Sequence, residues 1–172
     1  TLTINITGAN DAPASIALSN QSVDENSAGA VVGTLSASDA ESDALTYTVG
    51  GTDGNNFIVD GTSLKLKTGY SADRETQASY SVDVTVDDGT DTTTETFTIA
   101  VGDVNESPTL TAPTAGSLTE DSSTTTVTGT LNATDPEDDT LTYEVVGGTL
   151  ASGNYTLSGT YGSLSLNSST GA

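Results

Sequence analysis

Hydrophobic and polar residues alternate with a period of two along most of the chain. The alternating apolar positions are Leu2, Ile4 and Ile6; Val31, Gly33, Leu35 and Ala37; Leu45, Tyr47 and Val49; Leu64 and Leu66; Tyr80, Val82, Val84 and Val86; and Phe97, Ile99 and Val101. Because successive side chains of a strand point to opposite faces, this pattern predicts antiparallel strands with one buried and one solvated face. No stretch has the 3.6-residue period of an amphipathic helix.

Short segments rich in Gly, Asp and Asn separate these runs. The clearest are "VGGTDGNN", "VDGTS" and "VDDGTD", which contain the residues that favour tight turns. About seven short strands in each stretch of roughly 95 residues are typical of a Greek-key sandwich. The sequence therefore predicts an all-β chain of tandem β-sandwiches with an immunoglobulin-like shape.

The tandem arrangement is visible as an internal repeat. The segment "GTLSASDAESDALTY" at residues 33–47 returns as "GTLNATDPEDDTLTY" at residues 129–143. The opening segment "LTINITGANDAP" is likewise followed, 95 residues later, by the similar "FTIAVGDVNESP". Similar elements at a fixed spacing indicate domains of one kind. Pro13 and Pro108 mark the boundaries, because proline just past a strand prevents that strand from continuing its ladder.

Three segments follow from these boundaries. Residues 1–12 are predicted to be the last strand and linker of a preceding repeat, residues 13–107 a complete sandwich, and residues 108–172 an incomplete second sandwich. The second repeat has counterparts of the early strands at 127–133, 141–145 and 164–166, but none of the strands at 80–86 and 97–101. Either the chain is a piece of a longer array, or the segment "TLTINIT" of a second copy completes the sheet by β-strand addition.

The charge balance narrows the choice of partner. The chain has 24 acidic residues against three basic ones, for a net charge of −21. This charge opposes binding to nucleic acid or to an anionic membrane, and it favours a multivalent cation. The sequence also has no apolar run that could insert into a membrane. Since the chain lacks Cys and His, it has no disulfide framework and lacks the usual catalytic bases and nucleophiles, so we predict no enzymatic activity.

Some of the acids recur as pairs separated by one residue. Calcium takes six to eight oxygen ligands, so a site must bring several carboxylates together. Alternate residues of a strand share a face. Strand geometry therefore predicts paired carboxylates at Asp39 and Glu41, Asp73 and Glu75, and Asp135 and Glu137. In contrast, the loop acids Asp24, Asp53, Asp60, Asp87 and Asp91 are expected to be solvated.

The order of these motifs resembles that of the cadherin repeat, in its bacterial cadherin-like form. The family pattern has an early Glu, a "DRE", a "DxD", an "AxDxG"-like turn and a linker "DxNDNxP". Here they are Glu25 in "DENS", the intact "DRE" at 73–75, "DAE" at 39–41, "VDDGT" with Asp88, and "DVNESP". The opening strand and residues 108–172 are similar to the VCBS repeats of giant secreted adhesins of the repeats-in-toxin type.

The resemblance implies Ca²⁺ at the junctions between repeats. The junction after the complete repeat would use Glu25, Asp73, Glu75, Asp103, Asn105, Glu106, Asp135 and Glu137. The junction before it would use Asn10, Asp11, Asp39, Glu41 and Asp88. Glu replaces the family's Asp at 41, 106 and 137, and Ser107 replaces its second linker Asn. Gly8 stands where the linker acid would be, which implies a weaker first site.

We therefore predict a calcium-binding extender module of a bacterial cell-surface or secreted adhesin. Calcium would stiffen the junctions, and the partners would be neighbouring repeats of the same extracellular array. The alternative is a module that binds surface glycan or associates with copies of itself. Glycan binding requires exposed aromatic side chains, for which Tyr70, Tyr155 and Tyr161 are the candidates.

Overall fold

The computed structural model confirms the all-β prediction. It describes residues 2–3, 8–111, 113, 116–119, 121, 123 and 125–172. The described residues form thirteen strands and one short 3₁₀ turn, and among them no helix has the length and apolarity needed to cross a bilayer. The chain divides into two compact units, Thr1–Val104 (unit 1) and Asn105–Ala172 (unit 2).

Unit 1 is a sandwich of two four-stranded sheets. Its strands are β1 (Ala14–Leu18), β2 (Ser22–Asp24), β3 (Val31–Ser38), β4 (Thr46–Gly50), β5 (Phe57–Asp60), β6 (Ser63–Leu66), β7 (Ser79–Asp87) and β8 (Thr92–Gly102), with a 3₁₀ turn at Gly54–Asn56. One sheet has the order β1-β3-β6-β5 and the other β2-β8-β7-β4. Neighbouring strands are antiparallel, except that β2 runs parallel to β8.

The core of unit 1 follows the alternation in the sequence. In β7, Tyr80, Val82, Val84 and Val86 are at most 1% exposed, whereas the residues between them are exposed or half-buried. The Tyr80 hydroxyl hydrogen-bonds to that of Tyr70 at 2.9 Å. The expectation that Tyr70 is an exposed aromatic is therefore wrong, because its hydroxyl satisfies a buried polar group in the core.

One strand departs from strict alternation. Val31 was predicted to face inward, but it is 56% exposed, and its neighbour Val32 is buried instead. The pairing of β3 with β6 shifts register between Val31 and Gly33, which is the signature of a β-bulge. A bulge inserts an extra residue and so exchanges the faces of the side chains on either side of it.

Unit 2 has fewer and shorter strands. They are β9 (Thr109–Thr111), β10 (Asn132–Thr134), β11 (Thr149–Ala151), β12 (Asn154–Gly159) and β13 (Gly162–Asn167). β9 pairs with β10, and β11, β12 and β13 form a separate sheet. Residues 127–131 and 141–145, which the pattern marks as strands, are not in strands. In unit 1, β4 is held by β7, and the described part of unit 2 contains no counterpart of β7.

The apolar side chains of unit 2 are more exposed to solvent than their counterparts in unit 1. Leu164 is 52% exposed, whereas Leu64, its counterpart in unit 1, is fully buried. An open groove of about 760 Å³ is lined by residues that include Val127, Leu131, Val145, Leu164 and Leu166. At the other end of the chain, Ile4 and Ile6 of the predicted N-terminal strand lie outside the described residues, and Leu2 is exposed.

The repeat provides a matched test of packing around β3. A Cβ atom on Gly33 would lie 2.9 Å from the backbone nitrogen of Asn20 and 3.0 Å from its carbonyl oxygen, whereas Gly129, at the same place in the repeat, has nothing within 4 Å. We expect Gly33→Ala to lower the free energy of unfolding by about 1–3 kcal/mol. Gly129→Ala should change it by no more than about 0.5 kcal/mol. Urea unfolding of both variants measures this difference, and equal losses would contradict the close contact at Gly33.

Candidate metal centres

The predicted ligands of the "DRE" motif lie in a turn between β6 and β7 rather than in a strand. The N–H of Thr76 donates to Asp73 Oδ1 at 2.8 Å, and the N–H of Gln77 donates to the Asp73 carbonyl at 2.9 Å. The prediction that strand alternation pairs Asp73 with Glu75 is therefore wrong. A local hydrogen bond from the backbone to the Asp side chain fixes the turn and places the acids.

The two "DxE" motifs form similar loops in both units. Asp39 Oδ1 accepts the N–H groups of Glu41 at 3.1 Å and Asp43 at 2.9 Å. Asp135 Oδ1 accepts the N–H of Asp139 at 3.2 Å. In each loop the backbone engages one carboxylate oxygen, so the loop fixes the orientation of the carboxylate and leaves its second oxygen available.

Glu25 lies directly after β2 and is the one acidic residue among the described positions that is buried, at 1% exposure. Its Oε2 accepts the N–H of Arg74 at 2.7 Å, and its Oε1 accepts the N–H of Val104 at 2.8 Å. These two bonds, with that from Arg74 the stronger, hold the pKa of Glu25 below its ordinary value of 4.5. The carboxylate is therefore ionised, and it ties the "DRE" turn to the start of the linker.

A second carboxylate lies beside Glu25. An oxygen of Glu75 is within 4.8 Å of an oxygen of Glu25. The guanidinium of Arg74 points elsewhere and donates to the Val101 carbonyl at 2.9 Å. Unit 1 contributes four of the ligands predicted for the second junction. We call them the Glu25 cluster: Glu25, Asp73, Glu75 and Asp103. Of these, Asp73, Glu75 and Asp103 are solvent-exposed.

Unit 2 contributes the remaining predicted ligands of that junction. The N–H of Glu106 donates to Glu137 Oε2 at 3.3 Å, and the Asn105 side chain donates to the Glu106 carbonyl at 2.8 Å. Oxygens of Glu106 and Glu137 lie within 4.8 Å of each other. Glu137 Oε1 is buried and has no hydrogen-bond partner in the described part of the chain.

The predicted ligands of the first junction all lie in unit 1, and we call Asn10, Asp11, Asp39, Glu41 and Asp88 the Asn10 cluster. The Asn10 side-chain nitrogen donates to Asp88 Oδ2 at 3.1 Å, and the N–H of Asp11 donates to Glu41 Oε2 at 3.1 Å. These bonds connect the linker both to the loop after β3 and to the turn after β7. Hydrogen bonds to the Asp88 side chain, chiefly from the N–H of Asp91, hold its pKa below the ordinary range.

Asp91 makes a contact with Asn10 that the sequence did not predict. It was expected to be a solvated loop acid, yet its Oδ2 accepts a hydrogen bond of 2.9 Å from the same Asn10 nitrogen. No pattern in the sequence indicates this contact, because it joins residues that are 81 positions apart. Asp60 is also engaged, through an ion pair with Lys65.

The donor atoms of both clusters fit a hard cation. They are carboxylate and amide oxygens, which are ligands that calcium prefers. Asp39 Oδ2 is buried and has no hydrogen-bond partner among the described residues. A buried carboxylate oxygen without a hydrogen bond lowers the stability of the fold unless it binds a proton donor or a cation. In the described chain, no three acids of the Asn10 cluster bring their oxygens within 4.8 Å of one another.

Comparisons with known proteins relate the fold to the cadherin domain. Residues 19–102 match the family model described as the cadherin domain. A comparison with curated protein sequences gives no match. Among solved structures, human protocadherin-24 EC1-2 is 25% identical with a TM-score of 0.56, covering 94% of this chain and 80% of that one.

Two further structures share the fold at lower identity. Mouse cadherin-23 EC22-24 is 18% identical with a TM-score of 0.55, covering 94% of this chain and 52% of that one. Drosophila N-cadherin EC1-4 is 22% identical with a TM-score of 0.51, covering 73% of this chain and 34% of that one. Unit 1 therefore contains a match to the cadherin domain, and the chain as a whole is similar to extracellular modules of the adhesion type.

Proposed function

We propose that this chain is a calcium-binding extender module, in which Ca²⁺ stiffens the junctions between neighbouring repeats of an extracellular adhesin. Residues 13–107 are one complete repeat of the array. The motifs that resemble bacterial cadherin-like and VCBS repeats favour a parent protein of the giant secreted or cell-surface type. The module acts through order and stiffness and catalyses no reaction.

The observation that carries this proposal is the buried, ionised carboxylate of Glu25 next to that of Glu75. Oxygens of the two carboxylates lie within 4.8 Å of each other, so the pair can share one proton or one cation. A divalent cation between them would bind both carboxylates in their ionised form. Glu25 also accepts the N–H of Val104, so an ion that fixes Glu25 would also fix the start of the linker.

We assign the ligands as the sequence predicts them. Glu25, Asp73, Glu75 and Asp103 of unit 1 bind calcium together with Asn105, Glu106, Asp135 and Glu137, and the Asn10 cluster forms the preceding site. Bound calcium supplies positive charge and a coordination shell of six to eight oxygens. The chain's own residues orient those oxygens through the turn and loop hydrogen bonds described above.

The alternative of glycan binding has less support. A sugar stacks on exposed aromatic faces, but Tyr70 is half-buried against the core, where its hydroxyl hydrogen-bonds to that of Tyr80. Tyr161 is fully exposed, whereas Tyr155 is half-buried. A single exposed ring is a poor platform, so we favour the structural role.

Calcium should stabilise the fold specifically. A ligand that binds only the folded state at a hundred times its dissociation constant adds about 2.7 kcal/mol. We expect thermal unfolding of the full chain to shift upward in millimolar calcium relative to excess chelator, with a much smaller shift in magnesium. Glu75→Gln should reduce the calcium shift. Glu144→Gln removes one charge at an exposed position outside every predicted ligand set, so this control should keep the full shift. No calcium-specific shift in the unmodified chain would refute the proposal.

Acid should weaken the calcium-free fold through Glu25. Because its folded-state pKa is lowered, the unfolded chain takes up a proton first as the pH falls below 4.5. The stability due to Glu25 is therefore complete above that value and is lost as the pH falls through the lowered folded pKa. We expect urea unfolding between about pH 6 and about pH 3 to show a steeper loss of stability for the unmodified chain than for Glu25→Gln. Parallel curves would show that this carboxylate contributes nothing to acid sensitivity.

A further inference from the structure

We propose that unit 2 accepts a β-strand from a second copy of this chain, and that the donated segment is residues 2–6, "LTINI". In the internal repeat, this segment is the counterpart of residues 97–101 of β8, "FTIAV". The acceptor is the open groove of unit 2. Contact of this kind between chains does not depend on calcium, so it goes beyond the proposed function.

In unit 1, the core is covered by β8. Its inward side chains, Phe97, Ile99 and Val101, are at most 7% exposed and belong to one cluster with Leu64. The described part of unit 2 contains no counterpart of β8. Leu164, the counterpart of Leu64, is 52% exposed and lines the groove. Unit 2 therefore lacks the apolar side chains that β8 supplies in unit 1, and "LTINI" has apolar residues at the same three positions.

The strand that pairs with β8 also has an uncovered counterpart in unit 2. In unit 1, β2 runs parallel to β8, and Val23, which pairs with Val101, is 5% exposed. The segment "QSVDENS" at residues 21–27 returns as "GSLTEDS" at residues 116–122, which places Leu118 at the position of Val23. Leu118 is 53% exposed and lies in no strand. A donated strand can pair with this backbone and cover this side chain by β-strand addition.

Charge favours a second copy as the donor. The groove is lined by one charged side chain, that of Glu144, and "LTINI" contains none. Elsewhere the net charge of −21 makes two copies repel each other. An uncharged strand in an apolar groove avoids most of this repulsion, and burial of its apolar side chains favours the contact. Leu2, at the start of the segment, is 87% exposed in its own chain and so gains by burial.

The parallel register of β2 with β8 predicts the register of the donated strand. Transferred through the repeat, it places Leu118 opposite Ile6 of the second copy and Ser117 opposite Asn5. Leu118 and Ile6 then face the groove, and Ser117 and Asn5 face solvent, because successive side chains of a strand point to opposite sides. Each chain would donate at its first strand and accept in unit 2, so the contact is heterologous and joins copies head to tail.

Disulfide cross-linking of the full chain tests this register. The chain has no Cys, so introduced cysteines are its only thiols. Chains with Asn5→Cys are mixed with chains with Ser117→Cys in excess chelator and oxidised with glutathione. Paired strands lie about 4.8 Å apart, within the Cα separation that a disulfide spans. We expect a mixed dimer of the two variants, identified by mass, and its loss when Ser158→Cys, another exposed serine of unit 2, replaces Ser117→Cys.

Sedimentation of the unmodified chain gives a second readout. We expect oligomers to form in chelator as the concentration rises. Ile6→Asp should abolish this association, because it places an unpaired charge in the apolar groove. Thr3→Asp adds the same charge to the solvent-facing side of the same segment, so this control should still associate.

The outcomes separate strand donation from the calcium function. A chain that stays monomeric at every concentration, or that cross-links through Ser158→Cys as readily as through Ser117→Cys, overturns the inference. A calcium-dependent rise in the melting temperature of that same monomer would leave the proposed function intact. Association that survives Ile6→Asp would place the contact on another surface and would also overturn the inference. A register-specific disulfide, together with loss of association in Ile6→Asp alone, supports it.

Discussion

The carboxylate of Glu25 joins three separate segments of unit 1. It follows β2, and its two oxygens accept the N–H of Arg74 in the "DRE" turn and the N–H of Val104 at the start of the linker. A buried charge is tolerated only where hydrogen bonds replace its lost hydration. This pair of bonds therefore helps to set the positions of Asp73, Glu75 and Asp103 relative to one another.

The acids around Glu25 and those around Asn10 lie close together with few basic side chains to neutralise them. The chain carries only three basic residues, and two of them are engaged elsewhere, Lys65 with Asp60 and Arg74 with a backbone carbonyl. The acids are therefore oriented mainly by hydrogen bonds from backbone N–H groups. Such dipoles hold a carboxylate in place without neutralising it, so each cluster keeps its negative charge.

The sequence predicted the fold well because burial in a sandwich follows a period of two. Tyr80 to Val86 and Phe97 to Val101 are buried as their alternation requires. The failures are local. The residues around Val31 contain no pattern that indicates a bulge, which exchanges the two faces of the strand. Tyr70 was predicted to be exposed because its hydrogen-bond partner, Tyr80, is ten residues away in the sequence.

The candidate ligands were predicted for a partly wrong reason. The motifs identified Asp73 with Glu75 and Asp39 with Glu41, but side-chain bonds to the backbone in turns place these acids, not strand alternation. Asp91 escaped notice because its contact with Asn10 spans 81 residues and depends on how the linker approaches the turn after β7. Spacing within the sequence contains no information on such an approach.

The parallel pairing of β2 with β8 has a mechanical consequence. β8 is eleven residues long, leads directly into the linker, and lies between β2 and β7. A pull on the chain at Val104 is directed along β8, so it strains the hydrogen bonds of both neighbouring ladders at the same time instead of opening them one after another. Unit 1 is thus arranged to resist tension in shear, the geometry in which a β-sheet yields last.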